Sequence, residues 1–258
     1  MEMLDKIIET KKEEVAQLKK ETTEAQLKKE IAGFAPCRDF KKALTSSDCN
    51  IIAEVKCASP SRGWLVTDFD PLRIARIYEQ NGAAAISMLT DEKYFSGHKD
   101  YLTQIRQIVQ LPILRKDFIV DPLQIYETRA IGADAVLLIV RVLGEKLADF
   151  ISLSREVGLS QLVEVHSQEE LDYALAAGAE IIGINNRDLE TFITDIETSV
   201  RLKTRIPENN LVVAESGIRG RKDIESLMQA GMHSFLIGEH LVTASDISKK
   251  LREFRGER

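Results

Sequence analysis

The chain has 258 residues, of which 44% are hydrophobic and 29% charged, and its formal net charge is −6. This composition is typical of a globular protein with a sizeable core. The acidic balance, without a long Lys/Arg run, argues against a nucleic-acid binder, and no apolar stretch approaches the ~20 residues of a membrane helix.

The cysteines and the N-terminal residues predict a cellular location. Cys37, Cys49 and Cys57 form no CxxC pair and are odd in number, which favours unpaired thiols in a reducing compartment. The first residues contain neither an apolar core nor a small-residue cleavage site, so they do not resemble a secretory signal. We therefore predict a cytoplasmic protein that binds neither membrane nor nucleic acid, and we expect a monomer.

An extension precedes the first predicted strand. Its pattern predicts two helices, over residues 3–20 and 23–33. Charges of both signs alternate between Lys11 and Lys29, and we interpret this stretch as a solvent-exposed helix face.

The end of the extension is apolar. Phe34, Pro36 and Phe40 lead into the first strand, and we predict that this segment closes over the active-site rim and excludes water from it. No Ser/Gly/Pro-rich linker divides the chain. We therefore predict one domain overall, in which residues 1–46 form a helical extension packed on a barrel of residues 47–258.

The rest of the chain repeats a unit of strand, loop, helix and turn. Eight such units imply an α/β fold with a parallel sheet, and their number and total length, close to the roughly 250 residues of one barrel, fit a (β/α)8 TIM barrel. An open doubly wound sheet is less consistent, because no GxGxxG follows the first strand. Short β-branched runs place the strands at residues 51–55, 84–89, 113–114, 135–140, 162–165, 181–184, 211–214 and 234–237.

Several helix starts can be read from their caps. Asp121 stands before a proline, an arrangement that favours an N-cap followed by the first helical position. Ser167 and Glu170 have the spacing of a capping box, in which each side chain bonds the backbone N–H of the other residue. These signals support helices between the strands.

Charged residues replace apolar ones toward the C-terminal end of most strands. Side chains alternate along a strand, so one face should point into the barrel. Buried charges are costly unless they are paired. A structural ion-pair network is one explanation, but barrel active sites lie at this rim, and we predict an active site there. Its polar members would be Glu54, Lys56, Lys116, Glu164, Asn185, Arg187 and Glu215.

Small residues after the last two strands predict a phosphate site. Ser216 and Gly217 follow the seventh strand, and Gly238 and Glu239 follow the eighth, where barrels of this type frequently bind phosphate through backbone N–H groups. Metal binding is not indicated, since no two histidines have the spacing of a metal motif. The histidines are His98, His166, His233 and His240.

Seven segments together resemble the indole-3-glycerol-phosphate synthase family. The similarity covers nearly the whole chain, and the first and third segments are long and specific. The segments are residues 54–63 (EVKCASPSRG), 87–91 with Tyr94 and Phe95, 114–119 (LRKDFI), 162–166 (LVEVH), 183–189 (GINNRDL), 214–218 (AESGI) and 237–239.

The resemblance implies a carboxy-lyase of tryptophan biosynthesis. The substrate would be 1-(2-carboxyphenylamino)-1-deoxyribulose 5-phosphate, and the products would be indole-3-glycerol phosphate, carbon dioxide and water. No metal or organic cofactor would be needed. The small phosphorylated aromatic substrate would be the only partner.

The resemblance also implies roles for individual residues. Lys116 would be the acid in ring closure. Glu164 would be the main acid/base with Glu54 as its partner, and Lys56 would be a further catalytic residue of the later proton transfers. Asn185 would hold substrate hydroxyls or orient Lys116. The substrate carboxylate would be received by Lys56, Ser59 and Arg187, the anthranilate ring by Phe95, Phe118 and Leu137, and the phosphate by amides of Gly217 and Gly238, with Ser216, Glu215 and Glu239 completing the rim.

Two positions depart from the family pattern, and two other functions compete. Trp64 stands where a smaller residue is expected, and His240 where serine is usual.

A phosphoribosylanthranilate isomerase would bind a related ligand but does not explain Glu54 together with Lys116. A non-catalytic phosphoanion-binding protein would not need Lys116 or Glu164.

Overall fold

A computed structural model describes residues 3–60, 62–188 and 193–257. Ser61 of the first family segment and Leu189 of the fifth lie outside the described residues. Eight parallel strands close into a barrel, because the first strand pairs with both the second and the eighth. The predicted (β/α)8 architecture is confirmed. The strands are β1 (Asn50–Val55), β2 (Ala85–Leu89), β3 (Ile113–Lys116), β4 (Ala135–Ile139), β5 (Ser160–Val165), β6 (Ile181–Asn185), β7 (Leu211–Glu215) and β8 (Ser234–Ile237).

Helices alternate with these strands, and three precede β1. The second helix starts after Thr23, which forms a capping box with Gln26, so the predicted helix over residues 23–33 begins one residue later. The helices are α1 (Met3–Glu21), α2 (Glu24–Ile31), α3 (Phe40–Ala43), α4 (Pro71–Gln80), α5 (Lys99–Ile108), α6 (Pro122–Ala130), α7 (Val140–Leu143), α8 (Leu147–Glu156), α9 (Gln168–Ala176), α10 (Glu197–Lys203), α11 (Arg221–Gln229), α12 (Glu239–Val242) and α13 (Ile247–Arg255).

Three strands extend over polar residues that the sequence analysis left out of them. β3, β6 and β7 end at Lys116, Asn185 and Glu215, each one or two residues beyond the predicted end. In each of these strands the prediction placed the end at the last apolar residue. In the barrel these residues still pair with neighbouring strands, so the active-site groups are held on rigid backbone.

The core consists of two layers on the two faces of the barrel wall. One layer lies between strands and helices and includes Val55 and Val163. The other fills the barrel interior and includes Ile52, Leu114 and Leu162, which alternate with the first set along their strands. Apolar side chains therefore fill the lower interior and leave the C-terminal rim to polar groups.

The segment around Phe40 closes the N-terminal end of the barrel, which contradicts the prediction that it covers the active-site rim. Phe40 and Leu44 pack on the interior residues at the strand starts. The Ser234 hydroxyl, at the start of β8, donates to the Leu44 carbonyl over 2.8 Å. The bottom of an eight-stranded barrel exposes apolar interior, and this segment supplies the apolar cover.

The first two helices follow the outside of the barrel up to the opposite rim. Leu27 of α2 packs on Leu123 and Tyr126 of α6. Lys19 of α1 forms an ion pair of 2.5 Å with Asp121, the N-cap of α6. The extension thus reaches both ends of the barrel.

The prediction that the charged stretch from Lys11 to Lys29 is exposed to solvent is wrong for Lys11. Lys11 is only 1% exposed. Its α1 neighbours Ile7 and Val15 are also buried, and the spacing of four residues places all three on the helix face that meets the barrel.

Two further sequence observations can be compared with the structure. The three cysteines are free thiols, as predicted. Within residues 3–60, 62–188 and 193–257, every helix is too short or too polar to cross a membrane.

Candidate active site

A cavity of about 670 Å³ opens at the C-terminal ends of the strands. All the residues predicted for the active site line it, because the inner faces of the strands converge there. They are Glu54, Lys56, Ser59, Phe95, Lys116, Phe118, Leu137, Glu164, Asn185, Arg187, Glu215, Ser216, Gly217, Gly238 and Glu239. α1 supplies Met3, Leu4 and Ile7 to the wall, so the extension does reach the active-site rim as predicted, through its first helix and not through the segment around Phe40.

Lys116 lies at the centre of the cavity floor between two carboxylates. Its Nζ is 3.0 Å from Glu164 Oε2 and 3.3 Å from Glu215 Oε2. Burial alone would lower the pKa of Lys116, but the charges of Glu164, Glu215 and Glu54 outweigh it and raise that pKa. Lys116 is therefore a cation at neutral pH and carries the proton that an acid at this position would need.

The pKa values of the two carboxylates beside Lys116 are shifted in opposite directions. Burial would raise the pKa of Glu164, but Lys116 and His166 outweigh it and lower that pKa. Burial raises the pKa of Glu215, and the charge of Glu164 adds to the effect despite Lys116. One carboxylate that favours the ionised form and one that more readily holds a proton thus flank the same ammonium group.

Two glycines make room for the buried carboxylates. A Cβ on Gly183 would collide with the Glu215 carboxylate, and a Cβ on Gly238 would collide with that of Glu54. Glu54 Oε1 is also 2.7 Å from the Nζ of Lys56, which directly follows the end of β1. The direct partner of Glu54 is therefore Lys56, whereas Glu164 contacts Lys116 and His166.

His166 lies directly behind Glu164. Its Nε2 is 3.3 Å from Glu164 Oε1, and its Nδ1 is 3.0 Å from Glu170 Oε2. Burial opposes protonation, but the carboxylates of Glu164 and Glu170, one beside each ring nitrogen, outweigh it and raise the pKa of His166 to about 9. A signal for it existed in the sequence, since residues 164 and 166 have the same parity on β5 and its continuation.

The contact to His166 also corrects the predicted capping box. The Ser167 side chain accepts from the Glu170 N–H at 3.2 Å, as expected. The Glu170 carboxylate, however, accepts from the backbone N–H of His166 at 2.7 Å rather than from Ser167. Because the imidazole of His166 offers a charged second donor, Glu170 turns toward it and leaves the reciprocal bond unmade.

Aromatic and aliphatic side chains form one wall. The ring centroids of Phe95 and Phe118 are 6.1 Å apart. Leu137 comes from the inner face of β4, and Leu4 and Ile7 of α1 also line the cavity. This wall can enclose a planar aromatic group.

The loop after β7 has two consecutive residues with left-handed backbone. Ser216 has φ of 64° and Gly217 has φ of 74°. Such a conformation is costly for serine, so something must hold it. The Asn186 side chain donates to the Ser216 carbonyl over 3.1 Å. Left-handed turns of this kind can direct successive backbone N–H groups toward one anion.

Charged groups surround the mouth. The Glu239 carboxylate is 3.1 Å from Arg62 and 4.0 Å from Arg187. The Ser59 hydroxyl is buried in the wall and has no hydrogen-bond partner among the described residues, so it is available to a ligand. Asn185 accepts from the Arg187 N–H at 3.1 Å.

The two positions that depart from the family pattern differ in location. His240 lines the cavity. Burial lowers the pKa of His240, so at neutral pH its imidazole is uncharged. Trp64 is 70% exposed and lies in a small hairpin after β1, where Gly63–Trp64 pairs with Ala58–Ser59.

Comparisons with solved structures agree with the barrel. Thiamine phosphate pyrophosphorylase from Pyrococcus furiosus is similar with a TM-score of 0.61 and 16% identity, over 84% of this chain and 96% of that one. At this identity the likeness concerns the fold alone.

Comparisons of sequence are far more specific. The family model described as indole-3-glycerol phosphate synthase matches residues 4–254. The indole-3-glycerol phosphate synthase of Desulforamulus reducens is 50% identical over 255 residues, covering 97% of this chain and 96% of its own. That of Chlorobaculum tepidum is also 50% identical, over 98% of this chain and 99% of its own. The chain belongs to the indole-3-glycerol phosphate synthase family.

Proposed function

We propose that this chain converts 1-(2-carboxyphenylamino)-1-deoxyribulose 5-phosphate to indole-3-glycerol phosphate, with release of carbon dioxide and water, in tryptophan biosynthesis. The observation that carries the proposal is the Lys116 ammonium group held between Glu164 and Glu215 beside an aromatic wall. The reaction requires a proton donor and a proton acceptor within reach of one aromatic substrate.

The substrate would lie across the cavity from the aromatic wall to the loops after β7 and β8. Its anthranilate ring packs among Phe95, Phe118 and Leu137. Its phosphate accepts from backbone N–H groups of the residues after the two strands, namely Ser216, Gly217, Gly238 and Glu239. The left-handed backbone at Ser216 and Gly217 supports this anion site.

The substrate carboxylate would bind Lys56, Ser59 and Arg187. The unpartnered Ser59 hydroxyl supports this placement, because a buried donor without a partner gains the full value of a new hydrogen bond. Lys56 is already paired with Glu54, and the ligand carboxylate would share that ammonium group.

In ring closure, the ring carbon that bears the carboxylate attacks the ketose carbonyl carbon. As the new carbon–carbon bond forms, the carbonyl oxygen takes a proton from Lys116. The cation stabilises the developing alkoxide more than the neutral ketone, which lowers the barrier. Loss of carbon dioxide then returns its bonding electrons to the ring.

Dehydration would follow on the same residues. The hydroxyl made in ring closure leaves as water with a proton, and a carboxylate removes a proton from the neighbouring carbon to complete the indole. Glu164 is the main acid/base, with Glu54 as its partner. Asn185 binds substrate hydroxyls, and Glu215 holds Lys116 in place.

We also propose that the chain acts as a monomer in the cytoplasm. Support comes from the predicted site residues, which all line one cavity of this chain, so the predicted set needs no residue from a second copy. The free thiols suit a reducing compartment. A sedimentation experiment that gave a dimer mass at working concentration would contradict the monomer.

The decisive experiment is turnover of the carboxyphenylamino substrate, followed by the absorbance of the indole product. We expect the wild-type chain to form product, and Lys116→Ala to be slower by several orders of magnitude while its Tm shows that it folds. Lys41→Ala is the control, because Lys41 forms an exposed ion pair at the opposite end of the barrel. Normal turnover by Lys116→Ala would remove Lys116 from the mechanism, and an inactive wild type would reject the function.

A further inference from the structure

Lys11 of α1 enters the barrel rim and is fully surrounded by carboxylates. Its Nζ is 2.9 Å from Asp91 Oδ2, 2.9 Å from Asp117 Oδ1 and 2.8 Å from Glu14 Oε2. Asp91 and Asp117 are buried as deeply as Lys11 itself. Two of these three carboxylates, Asp91 and Asp117, belong to the barrel, and both form ion pairs of 2.9 Å with Lys11.

The two barrel carboxylates each hold one phenylalanine of the cavity wall. Asp91 Oδ1 accepts from the backbone N–H of Phe95 at 3.2 Å. Asp117 Oδ1 accepts from the backbone N–H of Phe118 at 2.8 Å. Asp117 also follows directly on Lys116 in the chain. A single ammonium group thus connects the two backbone segments that carry the facing aromatic rings.

A second set of contacts ties the same loop to α1. The Tyr94 hydroxyl, next to Phe95, donates to the Lys6 carbonyl at 3.0 Å and lies 3.0 Å from the Thr10 hydroxyl. The loop after β2 is therefore fixed to α1 at Lys6 and Thr10, just before Lys11, as well as at Lys11 itself. The wall that α1 supplies with Leu4 and Ile7 is continuous with this attachment.

We propose that Lys11 is a positioning residue of the aromatic half of the substrate site: it holds Asp91 and Asp117 together and thereby sets the separation of Phe95 and Phe118. Lys11 does not line the cavity, so it acts through the two aspartates. The proposal rests on the proposed function for the identity of the ring, an anthranilate group. It makes the extension part of the binding site rather than only a stabilising cover.

A charge is needed at this position for an electrostatic reason. Without the ammonium group, Asp91 and Asp117 would be two buried carboxylates close together with one fewer counter-charge. Asp117 would keep Arg115, which is 3.2 Å away, whereas Asp91 would lose its only ion pair among the described residues. The Asp91 loop, with Phe95, would then move away from Asp117.

The test is Lys11→Met, which keeps the length and apolar stem of the side chain but removes its charge. Lys19→Met is the matched control, because Lys19 also joins α1 to the barrel through an ion pair, at the exposed Asp121. Two probes of the full chain are titrated separately: anthranilate for the ring and inorganic phosphate for the anion loop. The KM and kcat of the substrate are measured with the same variants.

We expect Lys11→Met to bind anthranilate on the order of 10- to 100-fold more weakly, the range of a displacement of about 1 Å in a site. Phosphate binding should stay as in wild type, and Lys19→Met should change neither probe. Unchanged anthranilate binding, or equal weakening for both probes, would overturn the proposal, since the second result indicates a general loss of structure.

Two further results are needed, one for a variant that does not fold and one for a wild type that lacks the proposed activity. If Lys11→Met does not fold, the double variant Lys11→Met/Asp91→Asn is used, because it removes the unpaired charge of Asp91. The amide oxygen at position 91 can still accept from the Phe95 N–H. Wild-type affinity for anthranilate in the double variant would also overturn the proposal. If the wild type lacks turnover but Lys11→Met selectively loses anthranilate binding, the proposed reaction fails and the role of Lys11 stands.

Discussion

Glu164 has two cationic neighbours, one on each side. Lys116 contacts one of its oxygens and His166 the other. Both favour the ionised carboxylate, so Glu164 enters the reaction as a proton acceptor. After accepting a proton it can return it to a leaving hydroxyl, because Lys116 remains beside it.

Replacing Glu164 by glutamine keeps the size of the side chain but removes proton transfer. We expect kcat to fall on the order of 10²–10⁴-fold, with a smaller change in KM. Steady-state kinetics of Glu164→Gln should be compared with Glu180→Gln, an exposed glutamate before β6. A variant with normal kcat and raised KM would make Glu164 a binding residue.

His166 gives the protein a pH-dependent contribution to stability. Its pKa is about 9 in the folded chain and near the ordinary 6.5 in the unfolded chain. The folded state therefore binds the proton more tightly, and this stabilisation is complete below pH 6.5 and disappears as the pH rises through 9.

The corresponding measurement is the free energy of unfolding of wild type and His166→Gln in urea at several pH values. The advantage of the wild type should decrease between pH 6.5 and 9, by at most about 3 kcal/mol. An advantage that stayed constant over this interval would mean that His166 is not a buried cation.

Strand periodicity was sufficient to predict most of the polar residues that line the cavity. It was not sufficient to predict residues such as Lys11, which contact the lining residues without lining the cavity themselves. Glu54 and Lys116 were found because they are charged residues on inner strand faces at the rim where barrel active sites lie. Lys11 was misread because its neighbours in sequence are charged, and only Asp91 and Asp117, far along the chain, explain its burial. Such long-range pairing is not encoded in local pattern.

At the level of the strand, glycine is as important to the site as the carboxylates. Gly183 of β6 leaves the space that the Glu215 side chain of β7 occupies, and Gly238 does the same for Glu54 across the β8–β1 pair. From the sequence, Gly238 was predicted only to bind phosphate. The need for a residue without a side chain beside Glu54 could not be predicted from the sequence, because it depends on which strands are neighbours after the barrel closes.

We therefore expect Gly183→Ala to displace Glu215 and to lower kcat/KM by at least about tenfold, since small displacements of catalytic groups are costly. Gly33→Ala is the control, because no atom lies within 4 Å of the added Cβ position. Kinetics and a thermal melt of both variants would check this. Wild-type kinetics in Gly183→Ala would show that Glu215 can shift without consequence.

Over the whole molecule, the N-terminal extension performs different tasks at the two ends of the barrel. α1 contributes to the cavity wall at the C-terminal rim, and Phe40 with Leu44 covers the interior at the other end. The sequence predicted the helices and their contact with the barrel. It misplaced the Phe40 segment, because an apolar segment beside a strand does not show which end of the barrel it meets.

Two variants separate these tasks. Deleting residues 1–33 removes α1 and α2 but leaves Phe40, and we expect a folded barrel with a raised KM and a lower Tm. Phe40→Ala opens a cavity at the far end and should cost about 3–5 kcal/mol of stability without changing KM. Unchanged KM in the deletion variant would reduce α1 to a stabilising cover.

The first described helix and the last one, α13, reach opposite ends of the barrel. Met3 borders the cavity. Near the other terminus, Arg255 donates to the carbonyl of Asn81, which ends α4 just before β2 starts, on the face away from the substrate. An affinity tag or a second enzyme joined ahead of Met3 would therefore emerge beside the substrate entrance. The same addition after Arg255 would leave the entrance clear, so C-terminal fusion is the arrangement compatible with free exchange of substrate and product.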